Sequence, residues 1–420
     1  MRTGNKSKLL FVSPFMPCRT GGGSAMRAFN TLKVLSSCYD IDLLVFSLGL
    51  RKFPAPHSAV KKICSRIVIN VSHPVYDFRY WLQRILEKAC NKISISITTR
   101  TIEICPGLTP HRKKKLQQSF EGKHFHTIHI FRLADYPVFG AISNVVSYDH
   151  LQLDLDDIES DNYSQIKELY KSNGNVVQAD LAGRLTVAYQ KLEESVLPTI
   201  ELIFVCSAHD SAKLKMRYQC QQITVLPNVY PLPKKINHTQ GVEKFRLLFV
   251  GRLGYKPNAD AIFYFCDQIL PLLQKMATSQ FELRIIGDWK QLPGKTRKII
   301  AKLSEIVMLG KVDDVGPYYQ QADAAIVPLR VGAGTRIKIL EAFAFQVPVV
   351  STSKGIEGLE TTHGQHALIA DTPLDFARQC VQLMENPSLR DNLVQNARTL
   401  VESKYSPDRL KEILCKEKSL

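Results

Sequence analysis

What the chain lacks narrows its function before any motif is read. Its ten cysteines are scattered from Cys18 to Cys415, with no C-x-x-C pair and no Cys–His set at zinc spacing. That excludes a zinc ribbon and a dithiol redox motif, and it reads as reduced thiols in a cytosolic protein. No apolar run approaches the roughly 20 residues that span a bilayer. The start, MRTGNKSKLLFVSPFMP, is basic, but only a few apolar residues precede Pro14 and Pro17, too few for a signal peptide. The expectation is therefore a cytoplasmic protein, either free or peripheral on the inner face of the membrane. Low-complexity tracts and short-period repeats are absent too, which argues against solenoids and disordered tails. Acidic residues are scarce: 39 Asp and Glu stand against 55 Lys and Arg, a net charge of +16. Such a surplus asks for an anionic partner, whether nucleic acid, an anionic membrane or a phosphorylated substrate. No nucleic-acid motif accompanies the charge, so nucleic acid is not an expected partner.

What is present describes an ordinary globular chain of 420 residues, 45% hydrophobic and 22% charged. Two domains of about 200 residues fit that length. The densest cation run is His111-Arg112-Lys113-Lys114-Lys115, supported by Lys61, Lys62, Arg66, Arg79, Arg84 and Lys88. Positions 76–88, YDFRYWLQRILEK, set aromatic and aliphatic residues among cations at near-helical spacing. Two readings stay open there: an interfacial helix on an anionic membrane, or an amphipathic helix packed on its own domain.

Alternation of apolar runs with helical patterns sets the fold class. Lys8 to Ser13 reads as a strand, Gly21-Gly22-Gly23-Ser24 as a turn, and Ala25 to Ser36 as a helix, a Rossmann-type opening. The full G-x-G-x-x-G spacing and the acidic residue that NAD binding needs are missing, so a dehydrogenase is disfavoured. Further strand-bearing runs are Ile41 to Ser47, Ile67 to Val71, Thr127 to Phe131, Ala141 to Tyr148 and Leu202 to Ser207. The Pro- and Lys-rich passage Leu226 to Lys235 then interrupts the pattern as a linker. A second series follows at 246–251, 283–287, 306–310, 324–328 and 347–351. Strands alternating with helices imply parallel, doubly wound α/β sheets, one in each half.

The densest chemistry lies between Ala324 and Leu359. A short strand is followed by Gly332-Ala333-Gly334-Thr335, then Arg336 and Lys338, then a helix carrying Glu341. Backbone amides of a Gly-rich turn approach phosphate closely, the two cations add charge, and the helix N-terminus contributes its positive end. Glu341 would repel phosphate, so a sugar or ribose diol is its natural partner. Arg252 and Lys256 sit just past the first strand of the second series, at the expected mouth of a nucleotide site. Asp154 to Glu159 is acidic but lacks the D-x-D context of metal-dependent transferases, and no metal cluster is evident. For Asp157 an acceptor-side role and a helix N-cap role both stay open.

The stretch Gly332-Ala333-Gly334-Thr335-Arg336-Ile337-Lys338-Ile339-Leu340-Glu341 resembles the G-x-G-T-R-x-K-x-x-E signature of retaining, nucleotide-sugar-dependent glycosyltransferases of the GT-B fold, family 4-like. The likeness is dense from Leu247 to Tyr405 and thinner elsewhere. It implies two Rossmann-like domains facing each other across a cleft: residues 1–235 binding the acceptor, 236–405 binding the nucleotide-sugar, and a C-terminal helix, 406–420, packing back on the first domain. It further implies that Gly22 and Gly23 lie near the donor phosphates and that Arg252, Lys256, Gly334, Thr335, Arg336 and Lys338 hold the diphosphate. Glu341 would hold the ribose, and the loop at Val312 would contact the base. His129 in His126-Thr127-Ile128-His129 resembles the family's H-x-H passage, and Arg132 follows it; a buried structural histidine stays equally open. Two departures stand out. The broader family's second glutamate, eight positions before Glu341, is Ala333 here, and the second histidine is Phe131. The implied activity is sugar transfer, with retention, from a nucleotide-diphosphate sugar to a glycan, lipid-linked or other glycoconjugate acceptor. The nucleotide sugar is a co-substrate, and no cofactor or metal is implied. A nonhydrolysing nucleotide-sugar epimerase and a catalytically silent GT-B binding protein are the alternatives.

Overall fold

The computed structural model describes residues 6–46, 56–71, 104–105, 107–238 and 243–416. The aromatic and basic segment at 76–88 lies outside the described residues. Two compact units divide the chain between Leu226 and Pro227, with Thr20–Gly23 counted in the second.

The first unit holds a seven-stranded sheet in the order β3-β2-β1-β4-β5-β6-β7. Its strands are β1 (Ser7–Ser13), β2 (Tyr39–Phe46), β3 (Arg66–Asn70), β4 (Lys123–Phe131), β5 (Val146–Asp154), β6 (Leu202–Val205) and β7 (Ile223–Val225). Every pairing is parallel. Leu9 to Val12 lie between Ile41–Leu44 on one side and Thr127–Ile130 on the other. Strands covered on both faces need apolar residues at consecutive positions, and Leu9, Leu10, Phe11 and Val12 are all fully buried. The expected strand at 141–148 falls instead at Val146–Asp154. Residues Tyr136–Gly140 form a short helix begun at a proline, and its closing turn uses the positions just before the strand.

The second unit holds a six-stranded parallel sheet in the order β10-β9-β8-β11-β12-β13. These strands are β8 (Phe245–Val250), β9 (Phe281–Ile286), β10 (Ile306–Gly310), β11 (Ala324–Val327), β12 (Val349–Ser351) and β13 (Leu368–Ile369). Both sheets are therefore doubly wound, and each reverses strand order once: between β1 and β4, and between β8 and β11. Ligands of such sheets bind beyond the carboxyl ends of the strands at that reversal. Gly251 and Gly287 close β8 and β9 back to back. A Cβ on Gly287, whose φ is 154°, would stand 2.3 Å from the Gly251 carbonyl oxygen, so only glycine fits.

Candidate functional site

The reversal between β8 and β11 is where the second unit gathers its chemistry. β11 ends at Val327, and the loop that follows turns through Gly332 (φ 132°) and Gly334 (φ 69°) into the helix Ile337–Ala344. Arg336 is that helix's N-cap residue, and one of its guanidinium nitrogens donates to the carbonyls of Ala333 and Gly334. Its other terminal nitrogen is buried without a hydrogen-bond partner. A Cβ on Gly332 would lie 2.8 Å from that nitrogen, so the glycine makes room for the guanidinium. A buried donor left without an acceptor costs on the order of 1–3 kcal/mol, and an anion in the loop would satisfy it. Thr335 is fixed from behind: Asn228, 3% exposed, donates to its hydroxyl at 2.7 Å.

One turn into the helix, Lys338 donates to Asn258 Oδ1 at 2.8 Å, and its ammonium lies 4.2 Å from the centre of the Phe249 ring. Asn258 in turn donates to the Arg252 carbonyl at 3.0 Å, which ties the loop after β8 to the lysine. Burial lowers the Lys338 pKa to about 7, and the Arg336 charge adds to the fall. Glu341, 7% exposed, accepts from the Tyr319 hydroxyl at 3.2 Å. Burial raises its pKa to about 7, against the opposing pull of Tyr319 and Lys338. Tyr319 lies parallel to Phe345 with ring centres 5.5 Å apart, so an aromatic wall backs the carboxylate. Arg252 is exposed directly after β8, and Lys256, also exposed, is the first residue of the helix Lys256–Tyr264. Val312 is half-buried against the second unit's core, two residues past Gly310.

Sequence reasoning thus brings Arg336, Lys338, Glu341 and the Arg252 loop to one place. It misses Asn258, which joins Lys338 to the Arg252 loop, Tyr319, which holds Glu341, and Asn228, which holds Thr335. Asn258 lies two residues past the Lys256 that was singled out, but Tyr319 is on a separate helix with no local signature. Gly23 opens the helix Gly23–Leu35, and Gly22 stands in open space beside it.

In the first unit, His129 is a buried residue. It is 0% exposed within β4, stacked on Phe11 with ring centres 4.8 Å apart, and 5.9 Å from the Phe204 ring. Burial lowers its pKa to about 4, outweighing its contact with Gln152 at 3.5 Å. A neutral imidazole sandwiched among aromatic rings belongs to the core. Phe131 is likewise buried, packed against Phe11 and Phe15.

The acidic segment is divided among separate tasks. Asp154, the last residue of β5, forms a fully buried pair with Arg27 at 2.9 Å, and Arg27 also donates to the Leu226 carbonyl at 2.7 Å. Burial weakens Arg27's hold on its proton, but Asp154 more than reverses this, and the pKa rises above the ordinary arginine value. Asp156 adopts a left-handed backbone, φ 56°. Arg132, also left-handed at φ 73°, reaches Asp157 at 3.2 Å and Glu159 at 2.5 Å. Neither aspartate caps the next helix: Glu159–Ser172 has Ile158 at its N-cap, so the capping role proposed for Asp157 is corrected. Arg112 departs from expectation as well. It is fully buried, donating to Asn70 and to the Gly107 carbonyl, with its guanidinium 3.7 Å over the Phe46 ring. Lys113, Lys114 and Lys115 alone form the exposed basic face there. Among the described residues, no group of three or more His, Cys, Asp or Glu is arranged to hold a metal ion.

Two doubly wound parallel sheets on one chain are the architecture of the GT-B fold. Solved structures agree on the fold. Sucrose-phosphate synthase from Thermosynechococcus elongatus is 14% identical with a TM-score of 0.67, the match covering 99% of this chain and 98% of that one. Anabaena HepE, solved in complex with UDP and glucose, is 12% identical with a TM-score of 0.66, covering 98% and 99%. Residues 244–386 match the family model of glycosyl transferases group 1. An uncharacterized 44.6 kDa protein in the cps region of Klebsiella pneumoniae is 26% identical over 192 residues. That match covers 43% of this chain, which spans about half the length of that curated relative (49%).

Proposed function

We propose that the protein is a metal-independent glycosyltransferase that moves a sugar, with retention, from a nucleotide-diphosphate sugar to a glycan, lipid-linked or other glycoconjugate acceptor. The observation that carries this reading is the unpartnered, buried Arg336 nitrogen within a loop of two left-handed glycines, inside the segment matched to glycosyl transferases group 1. In the reaction, the bond from the anomeric carbon to the diphosphate breaks as the acceptor oxygen bonds to that carbon, and the acceptor hydroxyl's proton passes to the departing diphosphate. Charge builds on the leaving diphosphate. Arg336 and Lys338, joined by Arg252 and Lys256, neutralise it, and such preorganised cations contribute more than a strong base. Glu341 accepts hydrogen bonds from the ribose diol. A carboxylate that burial has pushed toward neutrality gains from two hydroxyl donors. Asp157, held by Arg132, serves the acceptor side; His129 receives no role.

A screen of purified protein against nucleotide sugars, UDP-glucose first because HepE binds it, tests the proposal. Turnover with at least one donor is expected, unchanged by EDTA. Activity abolished by EDTA and restored by magnesium would pass the charge-neutralising role to an ion, and the absence of both transfer and donor binding would favour a silent binding protein.

A second expected result concerns Glu341→Ala. A hydrogen bond to a charged group contributes about 1.5–3 kcal/mol, so donor affinity should fall roughly ten- to hundredfold in titration calorimetry. An unaltered affinity in a folded variant removes Glu341 from the site.

A further inference from the structure

The first unit carries a feature that the transfer chemistry leaves unused. Helices Glu159–Ser172 and Val176–Val196 pack against each other, and with Leu108 and Pro137 they line an open groove of about 1310 Å³. Common small-molecule sites occupy roughly 300–1,000 Å³, so this one has room for a larger ligand. Its floor comes from one stripe of the longer helix: Val176, Ala179, Gly183 and Val187 recur at intervals of three or four residues. Ala179 leaves space, and the Lys167 stem lies over Gly183. Val176 and Val187 stand 77% and 51% exposed at the ends of the stripe, an apolar face that water does not favour. Among the described residues, Lys167, Lys171, Arg184 and Lys191 line the groove against a single carboxylate, Asp180. Asp180 is taken by Arg184 at 3.0 Å, and Lys171 meets Glu168 at 3.2 Å in an exposed pair of little strength.

We propose that this groove holds the hydrocarbon chain of a bilayer lipid whose phosphate head is met by Lys167, Lys171 and Lys191. The apolar floor fits the chain, and the cationic rim fits an anionic head. Lysine stems can cover apolar surface while carrying charge to it, and both the stem and the ammonium of Lys167 lie over Gly183. The groove lies within the first unit, so lipid binding stands or falls apart from the transfer chemistry of the second.

Titration of the full chain with dioctanoyl phosphatidic acid, kept below its aggregation concentration, tests this. Glycerol 3-phosphate and dioctanoylglycerol serve as head-only and tail-only probes. The lipid should bind, and neither fragment should match it. Val187→Glu changes an exposed side chain and should weaken binding at least tenfold. Lys167→Glu with Lys191→Glu should weaken it about tenfold and reduce its sensitivity to salt. Binding that ignores these substitutions, glycerol 3-phosphate binding as tightly as the lipid, or no lipid binding overturns the proposal. So does a dimer of the wild type that Val187→Glu dissociates, which would give the groove to a second copy. Thermal unfolding of each variant guards against loss of fold, and nucleotide-sugar binding, read separately, keeps failure here distinct from failure of the transferase reading.

Discussion

Replacing Arg27 with methionine is expected to destabilise the first unit by about 3–5 kcal/mol, because it leaves the Asp154 carboxylate buried without its partner. Both side chains are almost wholly enclosed, 2% and 0% exposed, and the Leu226 carbonyl loses a donor in the same change. In a unit of about 200 residues this corresponds to a fall of roughly 10 °C in the calorimetric transition. The paired change Arg27→Met with Asp154→Leu should recover most of the loss, since replacing a buried ion pair whole is far less costly than breaking it. A melting temperature that Arg27→Met leaves in place would mean that water or rearrangement already satisfies Asp154.

Arg336→Ala should lower kcat by roughly 10²–10³, the loss that removal of one preorganised donor at a site of developing charge produces. The effect should fall on kcat more than on KM, since the charge that the guanidinium meets grows as the diphosphate departs. Arg336 also shapes its own loop through the Ala333 and Gly334 carbonyls, so loss of the side chain alone does not separate the two roles. Arg336→Lys does: it keeps the charge but lacks the planar fork, and it should restore part of the rate without restoring those contacts. A lysine variant as slow as the alanine one would assign the residue to loop geometry.

Much of the fold is legible because strands buried on both faces must be written as unbroken apolar runs. LLFV in β1, LLFV in β8 and AAIV in β11 each announce themselves. β5 does not, since its first half, VSYDH, is largely exposed and polar. β13 is only two residues long. At the site, Arg336, Lys338 and Glu341 are readable because they share one helix and its cap. Their supports are not: Asn228 reaches Thr335 across 107 positions, and Tyr319 reaches Glu341 across 22. His129 misleads for a related reason. It resembles an H-x-H passage in sequence, but parallel register sets it beside Phe11, and the two rings stack. Asp154 looks like part of an acidic cluster until Arg27, 127 positions away, claims it.

The burial of Arg112 also governs how the basic tract can be probed. Reversing every charge from His111 to Lys115 at once would remove a guanidinium that donates to Asn70 and Gly107 and covers Phe46, so a lost signal would report collapse of that corner as readily as lost attraction to an anionic surface. Within this run, charge and architecture occupy neighbouring positions on one turn of helix. A charge scan that spares Arg112 and alters only Lys113, Lys114 and Lys115 is the version whose outcome has a single meaning.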